Sequence, residues 1–220
     1  MEHSERVKKT IVDKLALDSR VDSSNVIVEL RDGKVRLGGT VPDYHAKEAA
    51  YEDAITAEDV KEVENEIVVF PTAAPPVPSD IQLATRVKNI LEWNVIVDPS
   101  DIEVEVDEGV VTLRGSVSSL WRKNRAQSLI SVLKGVLGVS NKLVVVPTEN
   151  HSDMALADSV ISAFERDPSI NPESLTVKVE HGVVTLRGEV PAWPVKKEAL
   201  RIASHTGGVL EVNNEIRVVP

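Results

Sequence analysis

The heptapeptide GVVTLRG occurs twice in this chain, at residues 109–115 and 182–188, and a related segment, GKVRLGG, occupies residues 33–39. The segments begin at Gly33, Gly109 and Gly182, so they are offset by 76 and then 73 residues. The same offsets align apolar residues with apolar residues along the rest of the chain. Because self-similarity at a fixed period is the signature of a repeat architecture, the sequence predicts three homologous units.

The repeat also sets the predicted domain boundaries. We expect repeat 1 over residues 1–71, a proline-rich linker over 72–79, repeat 2 over 80–147 and repeat 3 over 148–220. The linker has the composition of a stiff, polyproline-like spacer. A repeat of this size buries only about 60% of its unfolded-chain surface, so contacts between repeats are expected to add stability.

Each repeat shows the same order of helical and strand periodicities. In repeat 1, Val7, Ile11 and Leu15 recur with the period of a helix. Residues 26–30 then alternate between apolar and polar, which is typical of a half-buried strand. A second helix is predicted over 44–58, with equivalents over 120–134 and 193–206, and a short strand that ends at a proline follows each one.

Two glycines bound the returning strand of each repeat. The first follows Asp, Glu or His in a two-residue turn, where glycine accepts the positive φ of type I′ geometry. The second closes the strand, where a side chain is expected to crowd the incoming helix. The predicted structural glycines are Gly33, Gly39, Gly109, Gly115, Gly182 and Gly188.

These elements define a fold class. A hairpin supplies two antiparallel strands, and the strand–helix–strand step that follows is a right-handed crossover between parallel strands. The sequence therefore predicts an α+β protein of three tandem αββαβ units. Each unit is a mixed three-stranded sheet with two helices packed on one face.

The last strand of each repeat is apolar on both faces. Continuous apolar sequence is typical of a strand that is covered on both sides, so we expect a neighbouring repeat to shield it. A groove for an apolar ligand is the alternative. The outward-facing residues are Val68, Phe70, Val144, Val146 and Val219.

The charge of the chain excludes some partners. A net charge of −10 repels the phosphates of nucleic acid and gives no general attraction to anionic lipid. No cysteine is present, so there is no disulfide framework. No stretch has the length of a transmembrane segment or the apolar run of a secretory signal. The sequence as written predicts a cytoplasmic protein, or a periplasmic one if a leader has been removed.

The recurring pattern resembles the BON domain, named for bacterial osmotically inducible and nodulation proteins. Its signature is V-x-L-x-G after a glycine, then a helix, then G-V-x-x-V-x-N. Repeat 1 departs from it at Asp59, which replaces the late glycine, and at Gly38, which replaces an arginine. Repeats 2 and 3 carry the signature at Gly109, Val111, Leu113, Gly115, Gly135, Val136, Val139 and Asn141, and at Gly182, Val184, Leu186, Gly188, Gly208, Val209, Val212 and Asn214.

The resemblance implies a non-enzymatic module of an envelope, osmotic-stress or transport system, of a kind proposed to bind phospholipid and commonly exported. A related cytoplasmic group joins one BON unit to a module implicated in potassium sensing, which is missing here. The leading hypothesis is accordingly a binding or stress-protective adaptor without catalytic or cofactor-binding residues. The alternative is a soluble sensor of K⁺, another cation or a small ligand that uses the acidic repeats.

Motifs for chemistry are absent. There is no G-x-S-x-G elbow and no phosphate-binding glycine motif. The five histidines stand at five different repeat positions, so no metal ligands are predicted. The acidic stretch at 98–109 alternates with apolar residues, as the solvent face of a strand does, and lacks the central glycine of a calcium loop.

The best candidate contact surface lies in repeat 2. Residues 1–72, 73–148 and 149–220 carry net charges of −6, 0 and −4, so the central repeat is the least repelled by an acidic surface. It also carries the basic segment WRKNR at 121–125. Tryptophan beside cations suits a membrane interface or a protein partner; packing of Trp93 and Trp121 on neighbouring repeats is the structural alternative. The candidate membrane or partner residues are Trp93, Trp121, Arg122, Lys123 and Arg125.

One further tryptophan is assigned to packing. Trp193 aligns with Tyr44 and Leu120 at the start of the second helix of each repeat, and we expect it to lie in the core.

Overall fold

A computed structural model describes residues 2–57, 59–71, 78–94, 100–149 and 151–219. Residues 72–77 of the predicted linker lie outside the described residues, so the linker stays a prediction. Across the described ranges the chain forms six helices and three mixed sheets, which confirms the α+β class and the tandem repeat.

Repeat 1 follows the predicted order of elements. Its bounds are α1 (Glu2–Leu17), a 3₁₀ turn (Ser23–Asn25), β1 (Val26–Arg31), β2 (Lys34–Val41), α2 (Tyr44–Ile55), β3 (Glu62–Asn65) and β4 (Val68–Val69).

Repeats 2 and 3 have the same order. Repeat 2 contains α3 (Asp80–Glu92), β5 (Ile102–Asp107), β6 (Val110–Val117), α4 (Leu120–Ser131), β7 (Gly138–Asn141) and β8 (Val144–Val145). Repeat 3 contains α5 (Asp153–Arg166), a 3₁₀ turn (Pro172–Ser174), β9 (Leu175–Glu180), β10 (Val183–Val190), α6 (Trp193–His205) and β11 (Glu211–Val218).

The strand pairing matches the predicted topology. β1 pairs antiparallel with β2, and β9 with β10. The strand after the second helix is parallel to the hairpin strand, as in β2–β3 and β10–β11. In repeat 2 the strand order is β5-β6-β7, with β8 parallel to β6.

The last strand differs from the prediction in repeats 1 and 2, because it is broken into two pieces, β3 with β4 and β7 with β8. The break follows an asparagine in both. The Asn65 side chain accepts a hydrogen bond from the Ile67 N–H at 3.2 Å, and the Asn141 side chain accepts one from Leu143 at 3.3 Å. Asn214 of repeat 3 accepts the same bond from the Ile216 N–H at 3.1 Å, although β11 is continuous, so this bond alone does not explain the break. Because of the break, the sheets of repeats 1 and 2 contain four strands and not three.

The core lies between the helices and one face of each sheet. In repeat 1, α1 buries Val7, Ile11 and Leu15 as predicted, and α2 contacts both α1 and the sheet. The buried side of α2 is a row of alanines, which lets the helix approach the strands closely: Ala46, Ala49, Ala50 and Ala54.

The hairpin turns have the conformation that their glycines suggested. In the first turn, φ is 52° at Asp32 and 80° at Gly33, and the turns at Glu108–Gly109 and His181–Gly182 have the same two positive φ angles. Two consecutive positive φ angles are the requirement of a type I′ turn.

The second glycine does not end the strand as predicted, because β2, β6 and β10 each continue for two residues beyond Gly39, Gly115 and Gly188. Its role also differs from the predicted one. A Cβ on Gly39, Gly115 or Gly188 would lie 1.8–2.0 Å from a backbone carbonyl oxygen just before the first strand of the same repeat. The close neighbour is therefore backbone and not the incoming helix. The φ angles of +95°, +114° and +139° add a second requirement for glycine.

The chain divides into two compact units, and repeat 2 contributes to both. The first consists of Met1–Trp93, Val104–Leu113 and Gln127–Ser140, and the second of Asn94–Glu103, Arg114–Ala126 and Asn141–Pro220. Inside the first unit, repeat 1 contacts part of repeat 2. Inside the second, part of repeat 2 contacts repeat 3.

Candidate functional site

Trp93 lies at the carboxyl end of α3. Its backbone N–H donates to the Asn89 carbonyl at 3.0 Å, and its side chain is 85% exposed. The alternative that Trp93 packs on a neighbouring repeat is therefore wrong, because a side chain this exposed buries almost no surface. The equivalent residue of repeat 1, Leu17, is also 86% exposed, so this corner of the fold presents an apolar side chain in two repeats.

The WRKNR segment forms the first turns of α4. The guanidinium of Arg122 donates to the Ser118 hydroxyl, and the Lys123 N–H donates to the Ser119 carbonyl at 3.2 Å. The Arg122 and Lys123 side chains are half-buried, whereas Arg125 is exposed.

The position of these cations is electrostatically unfavourable. The amino end of a helix carries a partial positive charge, and the first turn of α4 contains no acidic residue. Arginine and lysine there oppose the helix dipole, so an anion bound at this helix start would relieve the repulsion.

Trp121 serves packing inside the second compact unit. Its ring lies 5.5 Å from the ring of His205, in the last turn of α6. Leu120, one residue earlier, is only 8% exposed and belongs to the buried apolar cluster of repeat 3, together with Leu156 and Val209. Trp121 therefore packs against a neighbouring repeat, as the structural alternative expected. Leu120 and Trp121 together join repeat 2 to repeat 3.

A similar contact occurs inside the first compact unit. The N–H of Tyr44, the first residue of α2, donates to the Val136 carbonyl of repeat 2 at 3.2 Å. The Tyr44 ring is half-buried, and this burial raises the pKa of its hydroxyl to about 12. The first residue of the second helix therefore contacts the next repeat in two places along the chain.

The third residue at this position differs from its prediction. Trp193 starts α6 but is only half-buried, so it does not lie in the core. The Lys196 ammonium lies 5.0 Å from the centre of its ring and donates to the Ile216 carbonyl at 2.6 Å. Partial burial lowers the pKa of Lys196.

Acidic residues on repeat 1 are engaged by cations of the same sheet. Lys34 lies 3.2 Å from Glu62, and Arg36 donates to Glu66 at 2.8 Å. Within the part of the chain that the structure describes, no three acidic or histidine side chains converge as metal ligands.

The outward face of the last strands is exposed, contrary to the expectation that a neighbouring repeat shields it. The exposed fractions are 59% for Val68, 68% for Phe70, 61% for Val144, 57% for Val146 and 48% for Val219. The buried core of each repeat lies instead on the face of the sheet that the helices cover, so these apolar side chains on the other face are exposed to solvent.

The comparison with known families settles the resemblance seen in the sequence. The BON domain profile matches residues 3–71, 79–147 and 152–220. The chain belongs to the BON domain family. The matches cover most of the chain, and three consecutive copies agree with the three sheets of the structure.

Two curated relatives carry informative names. The chain is 28% identical over 144 residues to osmotically-inducible protein Y of Escherichia coli (strain K12), an alignment that covers 63% of this BON chain and 72% of that protein. It is 33% identical over 106 residues to the outer membrane lipoprotein DolP of Haemophilus influenzae, covering 48% of this chain and 54% of that protein. The chain thus spans about half the length of DolP.

A solved structure of CdsD, a structural protein of the type III secretion system of Chlamydia trachomatis, aligns over all of this chain and 93% of its own. The identity is 12% and the TM-score is 0.28, so this likeness adds nothing to the assignment. Every helix that the structure describes is too short or too polar to cross a bilayer.

Sequence reasoning missed two features of this BON protein. The contact made by the first residue of the second helix was hidden because Tyr44, Leu120 and Trp193 resemble ordinary core residues. The role of the late asparagine was also missed, although its recurrence as Asn65, Asn141 and Asn214 was visible in the alignment of the repeats.

Proposed function

We propose that this chain is a non-catalytic BON protein of the stress- or envelope-associated type, and that it docks on a phospholipid surface through its central repeat. The observation that carries the proposal is the exposed indole of Trp93 in the one repeat without a net negative charge. The names of the relatives, one osmotically inducible and one an outer membrane lipoprotein, support the envelope setting.

The chemistry of repeat 2 fits a lipid headgroup region. Indole rings favour the membrane interface, where the ring is apolar and the N–H is hydrated. Lipid phosphates are anions, and Arg122, Lys123 and Arg125 lie at the start of α4, whose first turn contains no acidic residue. An anionic headgroup at this helix start would offset both the side-chain charges and the helix dipole.

Charge also predicts which repeat faces the surface. Repeats 1 and 3 are net acidic and repel an anionic membrane, whereas residues 73–148 are neutral overall. Each cation near an anionic leaflet contributes about 1 kcal/mol. Replacing Arg125 by glutamate changes the charge by two, so we expect a loss of about 2 kcal/mol, roughly 25-fold in partitioning.

Co-sedimentation with vesicles tests the proposal. Vesicles of phosphatidylcholine containing one-third phosphatidylglycerol are titrated at low salt with the wild-type chain, Trp93→Ala and Arg125→Glu. We expect the wild type to bind and both variants to bind much more weakly. Leu17→Ala is the matched control, because Leu17 is the equally exposed counterpart of Trp93 in repeat 1.

The outcomes separate lipid binding from other functions. Equal binding of Trp93→Ala and Leu17→Ala would move the contact away from the central repeat. A folded wild-type chain that binds neither these vesicles nor pure phosphatidylcholine would end the lipid proposal and leave a protein partner as the alternative ligand of these side chains.

A further inference from the structure

A carboxyl group lies within the contact between the two helices of repeat 1. Asp53 belongs to α2, which packs on α1, and its Oδ2 atom is buried without a hydrogen-bond partner. In the part of the chain that the structure describes, no other buried side-chain oxygen or nitrogen is unpaired in this way. A buried polar atom that makes no hydrogen bond costs free energy, so this carboxyl group needs a physical explanation.

The other two repeats have an apolar residue at this position. With the repeat offsets of 76 and 73 residues, Asp53 aligns with Leu129 and Ile202. Ile202 belongs to the buried apolar cluster of repeat 3. The fold of the repeat is therefore satisfied by a leucine or an isoleucine, and the ionisable group at Asp53 is particular to repeat 1.

The neighbour of Asp53 across the helix contact is a second carboxyl group. Asp18 directly follows α1, and its side chain lies within hydrogen-bonding range of Asp53. Two ionised carboxylates are both acceptors, so no hydrogen bond joins them until one of them carries a proton. Arg20 donates to the Asp18 carboxylate at 2.7 Å and lies 3.2 Å from the Glu52 carboxylate, so its hydrogen bonds hold Asp18 and Glu52 in place.

Lys14 on α1 is the remaining charged group that faces Asp53. Its ammonium donates to the Thr56 carbonyl at 3.2 Å and to the Thr56 hydroxyl at 3.3 Å. Burial and then the Asp18 charge raise the pKa of Asp53 above its usual value of 3.8, although Arg20 and Lys14 act in the opposite direction. The hydrogen bonds from Arg20 lower the pKa of Asp18. As the pH falls, Asp53 therefore takes up a proton before Asp18 does.

We propose that the carboxyl pair of Asp18 and Asp53 makes the contact between α1 and α2 stronger in mild acid than at neutral pH. When Asp53 takes up a proton from solvent, its O–H donates to the Asp18 carboxylate and the unpaired buried charge is removed. When Asp53 is ionised, the two carboxylates repel each other across the helix contact. Repeat 1 therefore carries a pH-sensitive contact that repeats 2 and 3, with Leu129 and Ile202, do not have.

The direction of the effect on stability follows from the two pKa shifts. The raised folded-state pKa of Asp53 adds stability that is complete below the unfolded-state value, about 3.9, and is lost as the pH rises through the folded value. The lowered pKa of Asp18 adds stability that is lost as the pH falls through its own folded value. The contribution of the pair is therefore largest near about pH 4 and smaller both at neutral pH and in stronger acid.

Urea unfolding of the wild type and Asp53→Asn tests the proposal. The asparagine amide presents a donor to Asp18 at every pH, so this variant reproduces the protonated state. We expect a higher urea midpoint for Asp53→Asn than for the wild type at about pH 7.5, and equal midpoints at about pH 4. Asp13→Asn is the control, because Asp13 is an exposed carboxylate on α1. A midpoint difference for Asp53→Asn that is zero, or the same, at both pH values would overturn the proposal.

Carboxyl titration by carbon-13 NMR follows the proton itself. In the wild type we expect Asp53 to titrate at a higher pH than Asp13, and Asp18 at a lower pH. Asp18→Asn removes the neighbouring negative charge, so the pKa of Asp53 should fall towards that of Asp13 in this variant. An Asp53 that titrates together with Asp13 in the wild type would contradict the proposal.

Hydrogen exchange distinguishes a change in the helix contact from a change in ionisation alone. Protection factors of the α1 amides, corrected for the intrinsic pH dependence of exchange, should increase between about pH 7.5 and about pH 4.5 in the wild type. They should not increase in Asp53→Asn, which already has the donor. An equal increase in both proteins would overturn the proposal, because groups other than this carboxyl pair would then cause it.

Discussion

The side-chain amide of Asn141 donates to the backbone carbonyl of Lys123, 2.8 Å away. The same asparagine accepts from the Leu143 N–H, so it joins the second helix of repeat 2 to the last strand. Asn65 makes the same two contacts in repeat 1, with the Lys47 carbonyl at 3.0 Å and the Ile67 N–H. We call this pair of hydrogen bonds the asparagine clamp. It gives a physical reason for the asparagine that ends the BON signature.

Removing the clamp should destabilise repeat 2. In Asn141→Leu the Lys123 carbonyl and the Leu143 N–H both lose their partner in a part-buried setting, which costs about 1–3 kcal/mol in unfolding free energy. Urea unfolding followed by circular dichroism measures it. In repeat 3, Asn214 accepts from the Ile216 N–H at 3.1 Å, and Lys196 supplies the bond between helix and strand. Asn214→Leu should therefore cost less than Asn141→Leu, and an equal loss in both variants would speak against the clamp.

Two adjacent glycines should respond oppositely to alanine. A Cβ on Gly39 would lie 1.8 Å from the Asn25 carbonyl oxygen, whereas a Cβ on Gly38 has nothing within 4 Å. Gly39→Ala should therefore lose several kcal/mol of stability or fail to fold, since backbone strain alone costs about 1–3 kcal/mol. Gly38→Ala should be neutral or gain up to about 1 kcal/mol. Thermal unfolding of the two variants distinguishes these results.

The hairpin turn of repeat 3 should be sensitive to acid. The carboxylate of Asp153 accepts hydrogen bonds from the N–H groups of Gly182 and His181, and these bonds lower the pKa of Asp153 below its usual value of 3.8. A lowered folded-state pKa stabilises the fold above the unfolded-state pKa, and the stabilisation is lost as the pH falls through the folded value.

The unfolding free energies of the wild type and Asp153→Asn should therefore differ most above about pH 5 and converge towards pH 2. Urea unfolding at a series of pH values measures the difference. Asp158→Asn, an exposed carboxylate on the same helix, is the control. A gap between the wild type and Asp153→Asn that does not change with pH would contradict the assignment.

Leu120 should stabilise a repeat other than its own. It lies in the buried cluster of repeat 3, so Leu120→Ala should cost about 2–5 kcal/mol, as other large-to-small core substitutions do. Hydrogen exchange should show lost protection in α5 and α6. Leu17→Ala removes the same side chain from an 86% exposed position and should cost little, and equal effects of the two would argue against the inter-repeat contact.

Local pattern was sufficient to predict much of the repeat. Val7, Ile11 and Leu15 recur with the helical period because one face of α1 is buried, and the positive φ angles at Asp32 and Gly33 follow from a two-residue turn. The second helices end earlier than predicted, at Ile55, Ser131 and His205. The residue at which each helix ends depends on the turn that follows it, and the helical periodicity of the sequence does not specify that turn.

Within the candidate site, the sequence distinguished residue types but not their surroundings. Trp93 and Trp121 looked alike as tryptophans near cations, yet one is 85% exposed and the other contacts His205 across a repeat boundary. Burial is decided by which surfaces meet, and those surfaces come from residues far apart in the chain.

By itself, the sequence determined the threefold αββαβ plan, because hydrophobic period, turn glycines and repeat spacing are local properties that recur in register. Only the tertiary structure decided which apolar faces are covered. It left Val68 and Val144 exposed and joined successive repeats through the first residue of the second helix. Those outcomes depend on how one repeat packs against another, and the packed surfaces are formed by residues that lie far apart in the chain.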